Sequence, residues 1–190
     1  MSPESNYLLY WLIVGCEAAF WLVLALALAA RYLLQRERLS RGLLLALPGV
    51  DLLLLAFTTV DLASGTPATF AHGLATAYVG FTVAFGPVLV KWADQRFVHW
   101  IKAGPPPQKA PSRGWPAVRY EFGLWFRSIV AWVITIVLLV ALIAFIDNEA
   151  ITAELEDWFR IAIGTVILWF IFGPVWSLVF FRREAKPEET

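Results

Sequence analysis

Long apolar runs alternate with short polar segments along the whole chain. The apolar runs are Leu8–Ala30, Leu43–Val60, Pro67–Val90, Ser128–Ile146 and Ile161–Phe181. A helix of about 20 apolar residues crosses the ~30 Å hydrocarbon core of a bilayer, and each run is close to that length. The pattern therefore predicts an all-α polytopic protein in which five transmembrane helices form a single membrane domain over residues 1–190.

The polar segments beside these runs carry very unequal numbers of basic residues. The residues before the first run and the segment Asp61–Thr66 contain none, and the segment between the fourth and fifth runs contains only Arg160. The other fourteen of the fifteen basic residues follow the first, third and fifth runs. Because basic segments stay on the cytoplasmic side of a membrane, we predict an external N-terminus and a cytoplasmic C-terminus.

Composition supports a membrane location and leaves little room for a soluble domain. Apolar residues make up 59% of the chain and charged residues 16%, against about 45–50% and about 25% in soluble proteins. The one long segment outside the runs is 91–127, in which Ala103–Pro116 contains five prolines. We predict that this segment is a cytoplasmic interfacial loop, and that the third helix continues into it as an amphipathic helix.

Basic and aromatic residues alternate in and around this interfacial segment. Those predicted to contact lipid headgroups are Lys91, Arg96, Lys102, Arg119, Trp92, Trp100 and Trp125. Such a mixture suits the anionic headgroups of a cytoplasmic leaflet. Nucleic acid could use the same residues, but the membrane lies beside them, so we expect membrane lipids as partners and no nucleic acid.

Other residues within the runs have simpler expected roles. Trp158 suits the outer membrane interface, where aromatic side chains collect, whereas Trp21 and Trp132 lie deeper and are expected to pack against other helices. The single cysteine, Cys16, lies in the middle of the first run, where we expect a buried thiol.

The third run carries small residues at helical spacing. Gly73, Ala77, Gly80 and Ala84 follow one another at intervals of four, three and four residues. Small residues at this spacing let helix backbones approach closely in a bilayer, so the third helix is predicted to be central and tightly packed. We also expect Thr66 to cap this helix and Pro67 to occupy its first position.

Ionisable residues inside the runs are the candidates for function, because such groups are costly in a bilayer. They are Glu17, Asp51 and His72, with Asp61 and Thr58 nearby on the second run. At 1.5 Å per residue from the outer border, Glu17 lies ~14 Å deep, Asp51 ~16 Å and His72 ~8 Å. Glu17 and Asp51 therefore share a level near the midplane, and His72 lies nearer the outer surface.

Three roles are open to these residues. They could hydrogen-bond between helices and only fix the packing, they could handle protons or cations, or they could form a catalytic metal site from carboxylates and imidazole. The first role is favoured, and catalysis is the least expected of the three, because the sequence has no HExxH-type metal motif, no P-loop and no Ser-His-Asp arrangement. We therefore expect no enzyme, no bound metal and no cofactor.

Several motifs resemble one family of bacterial membrane proteins. They are TFAHGLATAYVG (Thr69–Gly80), FGP (Phe85–Pro87) and WADQRF (Trp92–Phe97), after an arginine-rich first connection and an LPGVDLLLL second run. This combination resembles the YmcC-like family of uncharacterised integral membrane proteins, over most of the chain. The resemblance implies a multi-pass protein of the bacterial plasma membrane and assigns no role to any residue.

Two functions remain as hypotheses. The favoured one is an accessory or regulatory membrane component, and the alternative is a small proton- or cation-handling transporter or channel-like protein that uses the buried carboxylates and histidine. Transport would call for a homo-oligomer or a membrane-protein partner, because five helices alone hardly enclose a pathway.

Overall fold

In a computed structural model of the protein, which describes residues 3–101 and 105–181, five long helices follow one another. They are α1 (Pro3–Tyr32), α2 (Glu37–Ala63), α3 (Phe70–Ile101), α4 (Gly114–Ile146) and α5 (Glu149–Phe170). A π-helical turn, Ile171–Val175, joins α5 to a last short helix, α6 (Trp176–Val179). Five helices are long and apolar enough to cross a membrane, which confirms the predicted all-helical multi-pass fold.

Consecutive helices run up and down, and each packs against the next. The α2–α3 and α4–α5 connections meet at one end of the bundle, where the backbone N–H of Ala68 donates to the carbonyl of Ile151 at 2.8 Å. We call this the His72 end. At the opposite end, which we call the Asp94 end, α1 finishes, α2 begins and α3 approaches its last turns.

Helix α3 lies between two apolar clusters. Towards α4 and α5 it contacts a cluster that includes Trp132, Leu139, Leu155 and Trp158. Towards α1 and α2 it contacts a smaller cluster, in which Ala75 packs with Cys16 and Leu54. The burial of Cys16 confirms the expectation for this thiol.

Close approach explains the small residues of α3. A Cβ atom placed on Gly73 would overlap the indole ring of Trp158, and one placed on Gly80 would overlap the carbonyl oxygen of Ala131 and the hydroxyl of Thr135. Any larger residue at either position would push α3 away from its neighbours. The prediction of a tightly packed third helix is confirmed.

The start of α3 differs from the prediction. The helix begins at Phe70, so Thr66 does not cap it and Pro67 is not its first residue. The turn before α3 is therefore longer than predicted. Two hydrogen bonds stabilise it: the Thr66 hydroxyl donates to the Asp61 carboxylate at 3.0 Å, and the Ser64 hydroxyl donates to the Asp61 backbone carbonyl at 2.6 Å.

The segment 91–127 is more helical than a loop. Helix α3 continues to Ile101 and α4 already begins at Gly114, while the described residues between them, 105–113, form no regular structure. With 32 residues, α3 is about 48 Å long, well beyond the ~30 Å hydrocarbon core. Its last turns therefore project past that core, as the predicted amphipathic continuation requires.

Two tryptophans have the opposite environments from those expected. Trp158 is only 3% exposed and packs on Phe70 with ring centroids 4.8 Å apart, so its assignment to the membrane interface was wrong. Trp21 is 67% exposed on the outer face of α1, so it is not a packing residue between helices. Trp132 is buried, as expected.

Candidate functional site

The polar residues that the sequence suggested as one group lie in two separate places. His72 and Asp61 lie together at the His72 end, between the end of α2 and the start of α3. Asp51 precedes Asp61 in α2, nearer the middle of the helix, and lines a cavity between α1, α2 and α3. The side chain of Glu17 lies outside the described part of the chain.

His72 is held from both sides of its ring. Its Nε2 lies 3.2 Å from Oδ2 of Asp61, and its Nδ1 lies 3.1 Å from the backbone nitrogen and 2.9 Å from the hydroxyl of Thr69. Thr69 directly precedes α3, and His72 is the third helical residue. In a capping box, the side chain of the third helical residue, usually a glutamate, accepts from the backbone N–H of the capping residue. His72 takes the place of that glutamate, and Thr69 is the capping residue.

This geometry assigns the ring proton of His72. A backbone N–H can only donate, so Nδ1 of His72 accepts from Thr69 and the ring proton is on Nε2, which donates to Asp61. Both side chains are largely buried, at 7% and 16% exposure. The Asp61 carboxylate also accepts from Thr66, so the hydrogen-bonding groups of this cluster satisfy one another.

Asp51 has a different environment. It is 3% exposed, and its Oδ2 is buried without a hydrogen-bond partner among the described residues. The hydroxyl of Thr82 on α3 hydrogen-bonds to this carboxyl group. A buried carboxylate oxygen without a partner costs free energy, about 1–3 kcal/mol or more for a charged group.

Asp51 is one of the residues that line a cavity of about 400 Å³. Phe20 and Trp21 of α1, Leu54 of α2 and Tyr78 of α3 contribute other parts of its wall. Volumes of about 300–1,000 Å³ with mostly apolar walls and few polar groups are typical of small-molecule sites. Asp51 is thus the one carboxylate among the described residues that line this largely aromatic and aliphatic cavity, which also carries the hydroxyls of Tyr78 and Thr82.

Thr58 does not join either group. Its hydroxyl donates to the carbonyl of Leu55 at 2.8 Å, within its own helix. This is the usual way in which a buried threonine satisfies itself in a membrane helix.

A third polar cluster was not anticipated from the sequence. At the Asp94 end, the carboxylate of Asp94 on α3 accepts from the Arg31 guanidinium at 2.5 Å and from the Tyr32 hydroxyl at 2.6 Å. Both donors belong to the last turn of α1. One sequence signal could have revealed it: Asp94 is an acidic residue in a strongly basic segment, where a structural partner is a natural explanation.

The residues predicted to contact lipid headgroups fall into three groups. Lys91, Arg96 and Arg119 are exposed, and the Arg96 guanidinium lies 4.3 Å from the ring centroid of the exposed Trp92. Trp125 is half-buried and its indole N–H donates to the carbonyl of Val166 on α5 at 3.1 Å. Lys102 and the side chain of Trp100 lie outside the described residues. Lipid contact stays a prediction for the whole set.

The described candidate metal ligands do not come together. Within residues 3–101 and 105–181, no three His, Cys, Asp or Glu side chains lie together in a way that could hold a metal ion. His72 and Asp51, which the sequence placed in one candidate metal site, lie in different clusters.

Comparison with known proteins places the chain in a family. The chain is 39% identical over 153 residues to the "Uncharacterized membrane protein YmcC" of Bacillus subtilis (strain 168). The match covers 78% of this chain and 82% of that relative. The chain belongs to the YmcC-like family.

Membership of the YmcC-like family confirms the resemblance drawn from the motifs. It identifies an integral, multi-pass membrane protein and brings no activity with it. No family model matches the chain, and no solved structure matches it. The functional argument for this YmcC-like protein therefore depends on its own side chains.

Proposed function

We propose that the protein is a non-enzymatic component of the bacterial plasma membrane that binds a positively charged ligand at Asp51. Its N-terminus lies outside and its C-terminus in the cytoplasm. Binding of the ligand in the cavity between α1, α2 and α3 would then be the signal that the protein transmits. If the protein is a carrier, binding would instead be coupled to movement of the ligand across the membrane.

One observation carries this proposal: Asp51 lines a cavity of about 400 Å³, and its Oδ2 is buried without a partner among the described residues. Asp61 is paired with the ring N–H of His72 and Asp94 with the Arg31 guanidinium, whereas the carboxyl group of Asp51 interacts with the neutral hydroxyl of Thr82 and keeps one oxygen unpartnered. A cation in the cavity would supply the missing partner. Ionisable residues that face cavities in membrane domains commonly mark binding sites or ion pathways.

The second candidate is the accessory role without a ligand. The closed His72–Asp61–Thr69 cluster and the tight packing of α3 favour it, because both have a complete structural explanation. In that case Asp51 would be a tolerated residue of the α2 helix face, and its replacement would change little.

Thermal unfolding in lipid nanodiscs separates the two candidates. The midpoint temperature of the wild type is measured with sodium, potassium, ammonium and small organic amines at constant ionic strength. We expect at least one of these cations to raise the midpoint of the wild type and to leave the midpoint of Asp51→Asn unchanged. Asp51→Asn keeps the shape of the side chain, so the variant itself should fold.

Asp94→Asn is the matched control, because it also removes one partly buried negative charge that lies in a contact between helices. It should lower the midpoint without a ligand and keep the full response to the cation. If no cation stabilises the wild type, or if Asp51→Asn responds as the wild type does, the ligand-binding proposal is wrong and the accessory role stands. Proteoliposome flux of the stabilising cation then distinguishes a carrier from a sensor.

A further inference from the structure

The walls of the Asp51 cavity define the kind of cation that fits it. We propose that the ligand is an organic ammonium compound with an apolar body, and that it reaches Asp51 sideways from the lipid bilayer. This inference rests on the proposed function and names the chemical class of its ligand.

Aromatic side chains line the same cavity as the one carboxylate. Phe20, Trp21 and Tyr78 all line the cavity together with Asp51. The faces of aromatic rings attract cations, with about 0.5–2 kcal/mol for each favourable contact and the most when water is absent. A carboxylate among aromatic rings is the arrangement that suits an ammonium group attached to carbon.

An inorganic cation is served less well by the same walls. Sodium, potassium and divalent ions need about six oxygen ligands or retained water. The described walls offer the carboxylate of Asp51, the hydroxyls of Tyr78 and Thr82 and the Cys16 thiol, and their remaining side chains are aromatic or aliphatic. An organic ammonium group requires fewer oxygen partners than an inorganic cation does. The carbon atoms attached to it are apolar, so contact with Val50 and Leu54 favours binding.

Two of the residues that line the cavity are also exposed on the surface of the bundle. Trp21 is 67% exposed and Tyr78 is 41% exposed, although both line the cavity. Asp51, by contrast, is only 3% exposed. The side chains of Trp21 and Tyr78 therefore form an entrance from the bilayer, with the carboxylate at the inner wall. An amphiphilic amine already dissolved in the membrane can use such an entrance.

A matched pair of probes tests the class of ligand. 4-Phenylbutylamine and 4-phenylbutanol have nearly the same size and apolar body, and they differ in the ammonium group. Binding of each is measured by the shift of the unfolding midpoint and by quenching of tryptophan fluorescence, in nanodiscs of uncharged lipid. We expect saturable binding of the amine and at least tenfold weaker binding of the alcohol.

Three variants locate the site. Asp51→Asn should weaken amine binding at least tenfold. Trp21→Leu should weaken it about 2- to 30-fold, the range that corresponds to the loss of one cation–π contact. Since Trp21 is largely exposed, Trp21→Leu should fold. It therefore keeps the test valid even if Asp51→Asn does not fold. Asp157→Asn, which removes an exposed charge from α5, should bind the amine as the wild type does.

The possible results separate the two proposals. Equal binding of amine and alcohol, or amine binding that is unchanged in both Asp51→Asn and Trp21→Leu, overturns the organic ammonium ligand. Stabilisation by an inorganic cation that depends on Asp51, without any by the amine, leaves the proposed function standing and shows that the ligand class is wrong. No Asp51-dependent effect of any cation refutes both.

Discussion

At the scale of single residues, the membrane domain treats its buried polar groups in two ways. Most find a partner within hydrogen-bonding distance, either in their own helix, as Thr135 does with the Ala131 carbonyl at 3.0 Å, or across a helix contact, as Asp94 does with Arg31. Among the described side chains, Ser40 Oγ, Asp51 Oδ2 and Trp158 Nε1 are buried without one. For Trp158 the reason is packing, because its ring fills the space that Gly73 leaves open.

The Asp94 cluster should contribute measurably to stability. Asp94→Asn removes the negative charge that Arg31 and Tyr32 share, and the donors are only partly exposed, so we expect the free energy of unfolding to fall by about 1–3 kcal/mol. The measurement is the unfolding midpoint in detergent or nanodiscs.

A surface ion pair provides the comparison for that experiment. Glu37 and Arg41 form an exposed pair at 3.0 Å with side chains 66% and 67% exposed. Glu37→Gln should therefore change the stability by less than about 0.5 kcal/mol. If the two variants lose the same stability, the Asp94 cluster does not hold α1 to α3.

At the scale of helices, α3 determines how closely the bundle packs. Its glycines let α4 and α5 approach within contact of its backbone, while aromatic residues fill the remaining space: Phe81 packs edge-to-face on Trp132, and Phe85 stacks on Trp169 at 5.7 Å. In a bilayer such contacts drive association, because the lipid tails are as apolar as the side chains themselves.

Substitution of a glycine should cost more stability where less space surrounds it. A methyl group at Gly80 would overlap the backbone of α4 at Ala131, whereas nothing lies within 4 Å of the equivalent position at Gly123. We expect Gly80→Ala to lower the free energy of unfolding by about 1–3 kcal/mol. Gly123→Ala should be neutral or should stabilise the helix by up to about 1 kcal/mol.

The same assay with Gly80→Leu and Gly123→Leu should widen the difference, because a leucine at Gly80 cannot be accommodated without separating the helices. Unfolding midpoints measured side by side decide the matter. A tolerated leucine at Gly80 would show that α3 and α4 are not in close contact.

One pair of identical sequences behaves differently in two helices. The tetrapeptide FGPV occurs at Phe85–Val88 and at Phe172–Val175. In α3 the helix continues through Pro87, whereas around Pro174 the backbone forms a π-helical turn. The missing N–H of proline loosens a helix in either case, and the neighbouring helices decide which local geometry results.

At the scale of the whole molecule, the orientation in the membrane is the next property to measure. Helix α4 has 33 residues, so the residues just before and just after it lie about 50 Å apart, farther than the bilayer core is thick. Ser112 and Glu149 are exposed on either side of it. They are therefore suitable reporters for the two faces of the membrane.

We expect Ser112→Cys to be labelled from the cytoplasmic side and Glu149→Cys from outside by an impermeant thiol reagent, each in a Cys16→Ala background. Intact cells and inverted vesicles provide the two directions of access. Asn148 is left unchanged, because its side chain accepts from the N–H groups of Ala150 and Ile151 and caps α5. Labelling of both positions from the same side would disprove the five-span topology.

The sequence by itself determined that the chain forms five long helices and that these helices lie in a membrane. Unbroken apolar runs can satisfy their backbone in lipid only as helices, so the five spans, and the tight contact along Gly73 and Gly80, follow from local composition and spacing. The ends of the helices were less predictable. The start of α3 depends on Thr69 and His72, which lie three residues apart, but also on Asp61, which a turn brings back to them.

Only the tertiary structure decided which polar residues meet. Depth along a helix can be counted from the sequence, and that count put Asp51 and His72 at different levels. The rotation of each helix about its axis is set by side-chain packing between helices, and no local pattern records it. Packing places Asp51 in the wall of a cavity, beside Thr82. It also brings Asp94 within hydrogen-bonding distance of Arg31 and Tyr32. The candidate site is therefore a property of how α1, α2 and α3 pack together.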